Sequence, residues 1–125
     1  MSFEIDKIHD MLNEIVDSID EKLFEKLNGG VVLEEKVKFH EESIGDDLLI
    51  LGEYQRYGTM NRIVIYYGSL MRGYSHYTDV QMYERLTQLI NHELRHHVEY
   101  KAKLRDLIDE DEEYLENYRM KRNKN

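Results

Sequence analysis

The 125-residue chain has no cysteine. That excludes a disulfide framework and any thiolate metal site, so a bound metal would need histidine and carboxylate ligands. Proline is missing as well. Beside the abundance of Lys, Glu, Asn, Ile and Tyr, this is the bias of an AT-rich coding sequence. No apolar run approaches the ~18–20 residues of a membrane span. The start, Met1-Ser2-Phe3-Glu4-Ile5-Asp6, has neither the basic region nor the apolar core of an export signal. The expectation is a cytoplasmic protein with no membrane partner. Basic charge is also scarce: 17 Lys and Arg stand against 26 Asp and Glu, for a net charge of −9. Nucleic acid is therefore not an expected partner, since binding it means neutralising phosphates with a basic surface. The one basic run, Arg119 to Lys124, reads as a solvated, frayed terminus.

What remains is enough for one domain over residues 1–125. An apolar fraction of 41% builds a modest core, and a charged fraction of 34% solvates the surface. Residues 3–28 carry Ile5, Ile8, Leu12, Ile15, Val16, Ile19, Leu23 and Leu27 at helical steps, and Asn28-Gly29-Gly30 ends the pattern. Val31-Val32-Leu33 and Val37-Lys38-Phe39 are short strand-like runs. Gly45-Asp46-Asp47 is a turn signal. Leu48 to Tyr54 and Arg62 to Tyr67 predict two strands, and the Arg56-Tyr57-Gly58-Thr59 turn between them predicts an antiparallel hairpin. Gly68 to Tyr77 reads as a loop. Thr78 or Asp79 caps a long helix whose apolar stripe is Tyr83, Leu86, Ile90, Leu94 and His97. A last helix is expected over Asp109 to Met120.

The chemistry concentrates in His92-Glu93-Leu94-Arg95-His96, an H-E-x-x-H run on the long helix. Residues four apart sit one turn above each other, so two imidazoles can share one Zn²⁺ with bonds of about 2.0–2.1 Å. The glutamate between them can act as general base toward a water that the metal activates. His92 and His96 flank the apolar stripe, so a metal there would sit where the helix meets the rest of the domain. Catalytic zinc takes three protein ligands. Glu99, seven residues after His92, is the candidate third ligand or an acceptor orienting His96; its alternative is an ion pair with Arg95. Asp106 and Asp109 are further candidates should the chain fold back. Tyr66 and Tyr67 are candidate oxyanion stabilisers. His97 reads as packing, and His9, His40 and His76 as surface residues.

Three segments in order, Leu49-Ile50-Leu51-Gly52-Glu53-Tyr54, Ile63-Val64-Ile65-Tyr66-Tyr67-Gly68 and His92 to Glu99, resemble the small bacterial zincin-like metallopeptidases, the minimal zincins. The resemblance spans roughly residues 23–118. It implies an α+β zincin-like fold, a short, mostly antiparallel sheet packed on the motif helix, with N- and C-terminal helices. It also implies His92 and His96 as metal ligands, Glu93 as general base, and a peptide or protein substrate lying along the strand that ends in Tyr66-Tyr67. Relatives of this kind carry H-E-x-x-H-x-x-G-x-x-D; here those last two positions are Glu99 and Ala102, so the third ligand does not transfer. Arg95 is a second departure, a cation among the ligands. The leading expectation is a zinc-dependent peptidase. The alternatives are a non-catalytic metal-binding protein, motivated by Arg95 and the open third ligand, and an acidic interaction domain without metal that meets a basic partner. Oligomeric state is left open.

Overall fold

The structure, a computed structural model, describes residues 3–45 and 47–123. Asp46 of the expected turn, Met1 and Ser2 of the start, and Lys124 of the basic run lie outside the described residues. The fold is mixed α+β. Its elements in order are α1 (Ile5–Ser18), a 3₁₀ turn (Glu21–Phe24), β1 (Val31–Glu34), β2 (Lys38–Phe39), β3 (Leu49–Ile50), β4 (Gly52–Tyr57), β5 (Met60–Tyr66), α2 (Tyr67–Tyr74) and α3 (Asp79–Asn123).

The first helix is shorter than its apolar periodicity predicts. Ser18 Oγ donates to the Ile15 carbonyl at 2.6 Å, and the Asp20 carboxylate accepts from the Lys22 amide at 3.0 Å. Such short polar side chains offer the backbone local partners that compete with a continuing helix. The chain leaves helix at Ile19 and makes a 3₁₀ turn instead. Ile8, Leu12 and Ile15 remain buried, whereas Leu23, placed on the stripe by spacing alone, is 41% exposed.

The hairpin forms as expected, with Tyr54 opposite Ile63 and Gly52 opposite Ile65. The Leu48–Tyr54 run does not form one strand. It breaks at Leu51, whose carbonyl accepts from the Tyr66 amide, and β3 pairs with β2 in a separate two-stranded ribbon. With that ribbon set aside, β1 lies against β5 in parallel, Val31 opposite Ile63, giving the order β1-β5-β4. The expected antiparallel character holds for β4–β5 and β2–β3 but not for β1. Alternate residues of β5 face opposite ways. Ile63 and Ile65 join the core with Leu86, Ile90 and Leu94 of α3, while α1 packs on α3.

The loop expected over Gly68 to Tyr77 is helix as far as Tyr74, entered directly from β5, and only residues 75–77 stay non-helical. Gly68 marks a close approach here. A Cβ at that position would lie 2.6 Å from the Glu35 carbonyl oxygen and 2.7 Å from the Lys36 carbonyl carbon. Backbone cannot yield as a flexible side chain can. Gly68→Ala is therefore expected to destabilise the fold by about 2–3 kcal/mol, the upper part of the usual overpacking range, read as a lower urea midpoint at unchanged slope.

Helix α3 starts at a reciprocal capping box. The Thr78 amide donates to Gln81 Oε1 at 2.9 Å and the Gln81 amide donates to Thr78 Oγ1 at 3.2 Å. It does not end before residue 109 as the sequence suggests; one uninterrupted helix runs from Asp79 to Asn123. No glycine or proline interrupts residues 79–123, and Glu, Lys, Arg, Leu and Tyr carry the helix onward. No helix of the described residues is long and apolar enough to cross a membrane.

Candidate metal centre

The stripe of α3 that packs inward is Met82, Leu86, Ile90, Leu94 and His97, all buried. That anchoring fixes the rotation of the helix and turns His92, Glu93 and His96 to the border of the sheet. His92 Nε2 and His96 Nε2 are 3.3 Å apart. Two ligands on a tetrahedral ion with bonds of about 2.0–2.1 Å subtend about 3.3–3.4 Å, so the imidazoles already hold the spacing a shared metal requires. Glu93 Oε1 lies 3.7 Å from His92 Nε2. One donor atom from each of the three residues falls within 4.8 Å of the others, a His–Glu–His group that can hold a metal ion.

The two imidazoles are exposed, but Glu93 is only 7% exposed. Burial pushes its carboxyl above the usual range, while the neighbouring His92 and His96 and the backbone amide of Tyr54 pull it back. A buried carboxylate held beside two imidazoles is suited to take a proton or a cation. Gly52 lies close to the paired strand, where a Cβ would press to 3.0 Å from Ile65 Cδ1 and 3.1 Å from the Val64 carbonyl oxygen; Glu93 Cγ, at 4.0 Å, would be in ordinary contact with it.

Beside the group opens a cleft of about 710 Å³ between β4 and α3. Gly52, Tyr54 and Arg56 line its strand side; His96, Glu99 and Tyr100 line its helix side. The expectation that a peptide would add along the strand ending in Tyr66-Tyr67 is corrected by the topology. That strand is β5, paired on one side with β1 and on the other with β4, and it has no free edge. The strand with an open edge at the cleft is β4.

The other candidates separate. Glu99 lines the cleft with His96 but is not in the His–Glu–His group. Among the described residues it makes no ion pair with Arg95. Asp106 and Asp109 are carried away by the unbroken helix, about 15 Å and about 20 Å along its axis from His96, and the chain does not fold back. Tyr66 and Tyr67 do not meet the imidazoles. The Tyr66 hydroxyl donates to Glu53 Oε1 at 2.8 Å and accepts from Gln55 Nε2 at 3.2 Å, on the sheet face opposite the core residues Ile63 and Ile65. The Tyr67 hydroxyl donates to the Phe3 carbonyl. Glu53, shared by Tyr66 and Lys38, is pushed up by burial but drawn below its usual range by those two donors.

Sequence reasoning missed two tyrosines. Tyr54 faces the motif helix, its hydroxyl 2.6 Å from His97 Nδ1, and His97 Nε2 reaches the Glu25 carbonyl oxygen at 2.8 Å. His97 is thus more than packing: it pins β4 and the segment after α1 onto α3. Tyr100 stands one turn beyond His96 with Arg56 stacked 4.1 Å over its ring. The alternation of β4 carried the signal, since Gly52, Tyr54 and Arg56 share one face.

Fold and group together define a class: a small mixed α+β domain with a His–Glu–His cluster beside an open sheet edge. In fold it is similar to a conserved hypothetical protein from Thermo thermophilus, with a TM-score of 0.69 and 22% identity over 80% of this chain and 98% of that one. No family model and no curated protein matches the chain.

Proposed function

We propose that this chain is a zinc-dependent peptidase of the minimal zincin type. The observation that carries the reading is the 3.3 Å separation of the His92 and His96 Nε2 atoms with the buried Glu93 carboxylate beside them, at the end of a cleft bordered by an open strand edge. The zincin-like description of the fold and the choice of zinc belong to this proposal; an imidazole–carboxylate donor set favours zinc, though it also suits Mn²⁺, Fe²⁺ and Co²⁺. Bound there, the ion would supply Lewis-acid activation of water and of a scissile carbonyl. The chain's own residues do the rest. His92 and His96 present their two Nε2 atoms. Glu93 accepts the proton of the attacking water and hands it to the leaving amine. An extended substrate adds to β4, whose backbone groups supply main-chain hydrogen bonds.

A second reading has its own support. No further carboxylate joins the group among the described residues, so Glu93 can serve as the third ligand, and a carboxylate consumed in that way leaves no general base. The protein would then bind metal without turnover. Glu93→Gln separates the two. As a base variant it should keep its zinc and lose hydrolysis of a peptide library by about 10²–10⁴-fold. As a ligand variant it should lose zinc affinity, and the wild type should cleave nothing.

A further inference from the structure

Beyond residue 108, helix α3 leaves the domain; before that, Leu104 and Leu107 border the cleft, and Leu104 and Ile108 border a hollow with Glu25 and Lys26. Leu104, Leu107, Ile108, Tyr114, Leu115 and Tyr118 are all exposed, with Tyr114 at 71%. Their spacing along the chain puts them on a single stripe of the helix. Stripes of this kind on soluble helices are normally covered. The charge of the same segment is strongly ordered along its length. Lys101, Lys103 and Arg105 lie nearest the domain; Asp106, Asp109 to Glu113 and Glu116 make the middle acidic; Arg119, Lys121, Arg122 and Lys124 make the far end of the sequence basic.

We propose that this segment pairs with the same segment of a second copy, antiparallel, about a two-fold axis near residue 116. Residues 119–121 of each copy then lie beside residues 111–113 of the other, so every basic end meets an acidic stretch. Parallel pairing would set acidic on acidic and basic on basic, and is disfavoured by the same charges. Tyr114, Leu115 and Tyr118 of both copies meet at the centre. Asp111, the charge that interrupts the apolar stripe, falls opposite Lys121 of the second copy, and a polar group at such a position selects register. The contact is self-complementary and closes at two copies.

The overlap is short, so the pair is expected to be weak, with a dissociation constant on the order of ten to a hundred micromolar. The test is sedimentation equilibrium of the full chain in chelator, from about 5 to about 500 μM, with two charge variants. One reverses the basic end (R119E/K121E) and the other the acidic stretch (D111K/E112K/E113K). All five sites are exposed, and circular dichroism verifies that the fold is kept. The wild-type mass should rise from 15.1 kDa toward twice that value with concentration. Each variant alone should stay monomeric, and an equimolar mixture of the two should pair again. A wild type that stays monomeric throughout overturns the proposal. So does a dimer that either reversal leaves unchanged, or a mixture that fails to associate.

Discussion

His96→Ala is expected to lose zinc affinity by at least about a hundredfold, and His92→Ala by a similar factor. The argument rests on how little else can hold the ion. With no cysteine in the chain, imidazole and carboxylate are the only donors, and among the described residues only His92, Glu93 and His96 bring donor atoms together within 4.8 Å. Removing one imidazole leaves a single nitrogen with at most the Glu93 carboxylate beside it, too weak a set to hold the ion. Outer partners of a zinc ligand alone are worth about 10–100-fold, so a ligand itself should exceed that range. Competition with a chromophoric chelator measures the difference. Protons compete for the same nitrogens, so affinity should fall on acidification. Zinc at about a hundredfold over its dissociation constant should also stabilise the wild type by about 2.7 kcal/mol, and neither variant should show that gain. Micromolar or weaker binding in the wild type, unchanged in both variants, would reduce the H-E-x-x-H run to coincidence.

The motif was legible because it is local. Four-residue spacing on a helix fixes which side chains share a face, and the buried Leu86, Ile90 and Leu94 fix where that face points. The hairpin was legible for the same reason, since two β-rich runs and their turn are neighbours in sequence. What stayed hidden depends on long-range pairing. The parallel seat of β1 beside β5 is set by removal of β2 and β3 into a separate ribbon, and no periodicity reports that. It is also why the substrate-strand expectation fell on β5 when β4 holds the open edge. Gly68 read as the start of a loop because a glycine that relieves a contact with residues 35 and 36 cannot be told, by sequence, from one that ends a strand. The separate last helix expected over Asp109 to Met120 is instead a continuation of α3: Asp is only a modest helix former, but no glycine or proline stops the chain there and the surrounding Leu, Arg, Lys and Glu carry the helix through.

His97 was the residue most undervalued by its sequence, and its replacement should produce the largest loss of stability. The ring is fully buried. The Glu25 carbonyl can only accept, so Nε2 carries the hydrogen and Nδ1 accepts from the Tyr54 hydroxyl. His97→Ala removes both bonds, leaves a hydroxyl and a carbonyl without their partner, and opens a cavity. Together these should cost about 3–5 kcal/mol. Tyr54→Phe takes away one bond and keeps the packing, and should cost about 1–2 kcal/mol. In the double variant the hydroxyl is no longer stranded, so the losses should fall short of their sum. There is a pH signature as well. Burial holds the His97 imidazole below its ordinary value, with the Glu25 hydrogen bond opposing and Lys101 assisting. The unfolded chain therefore binds the extra proton first. The neutral ring's contribution is complete above the ordinary imidazole value of about 6.5 and is lost as pH falls from there toward the lowered folded value. His97→Phe should lack that part of the acid loss while remaining less stable than wild type at pH 8. Urea unfolding at pH 5 and pH 8 would show it, and a parallel loss in both proteins would mean that His97 is not neutral in the fold. Because the Tyr54 amide also faces Glu93, loosening this tie should reach the metal group without touching a ligand.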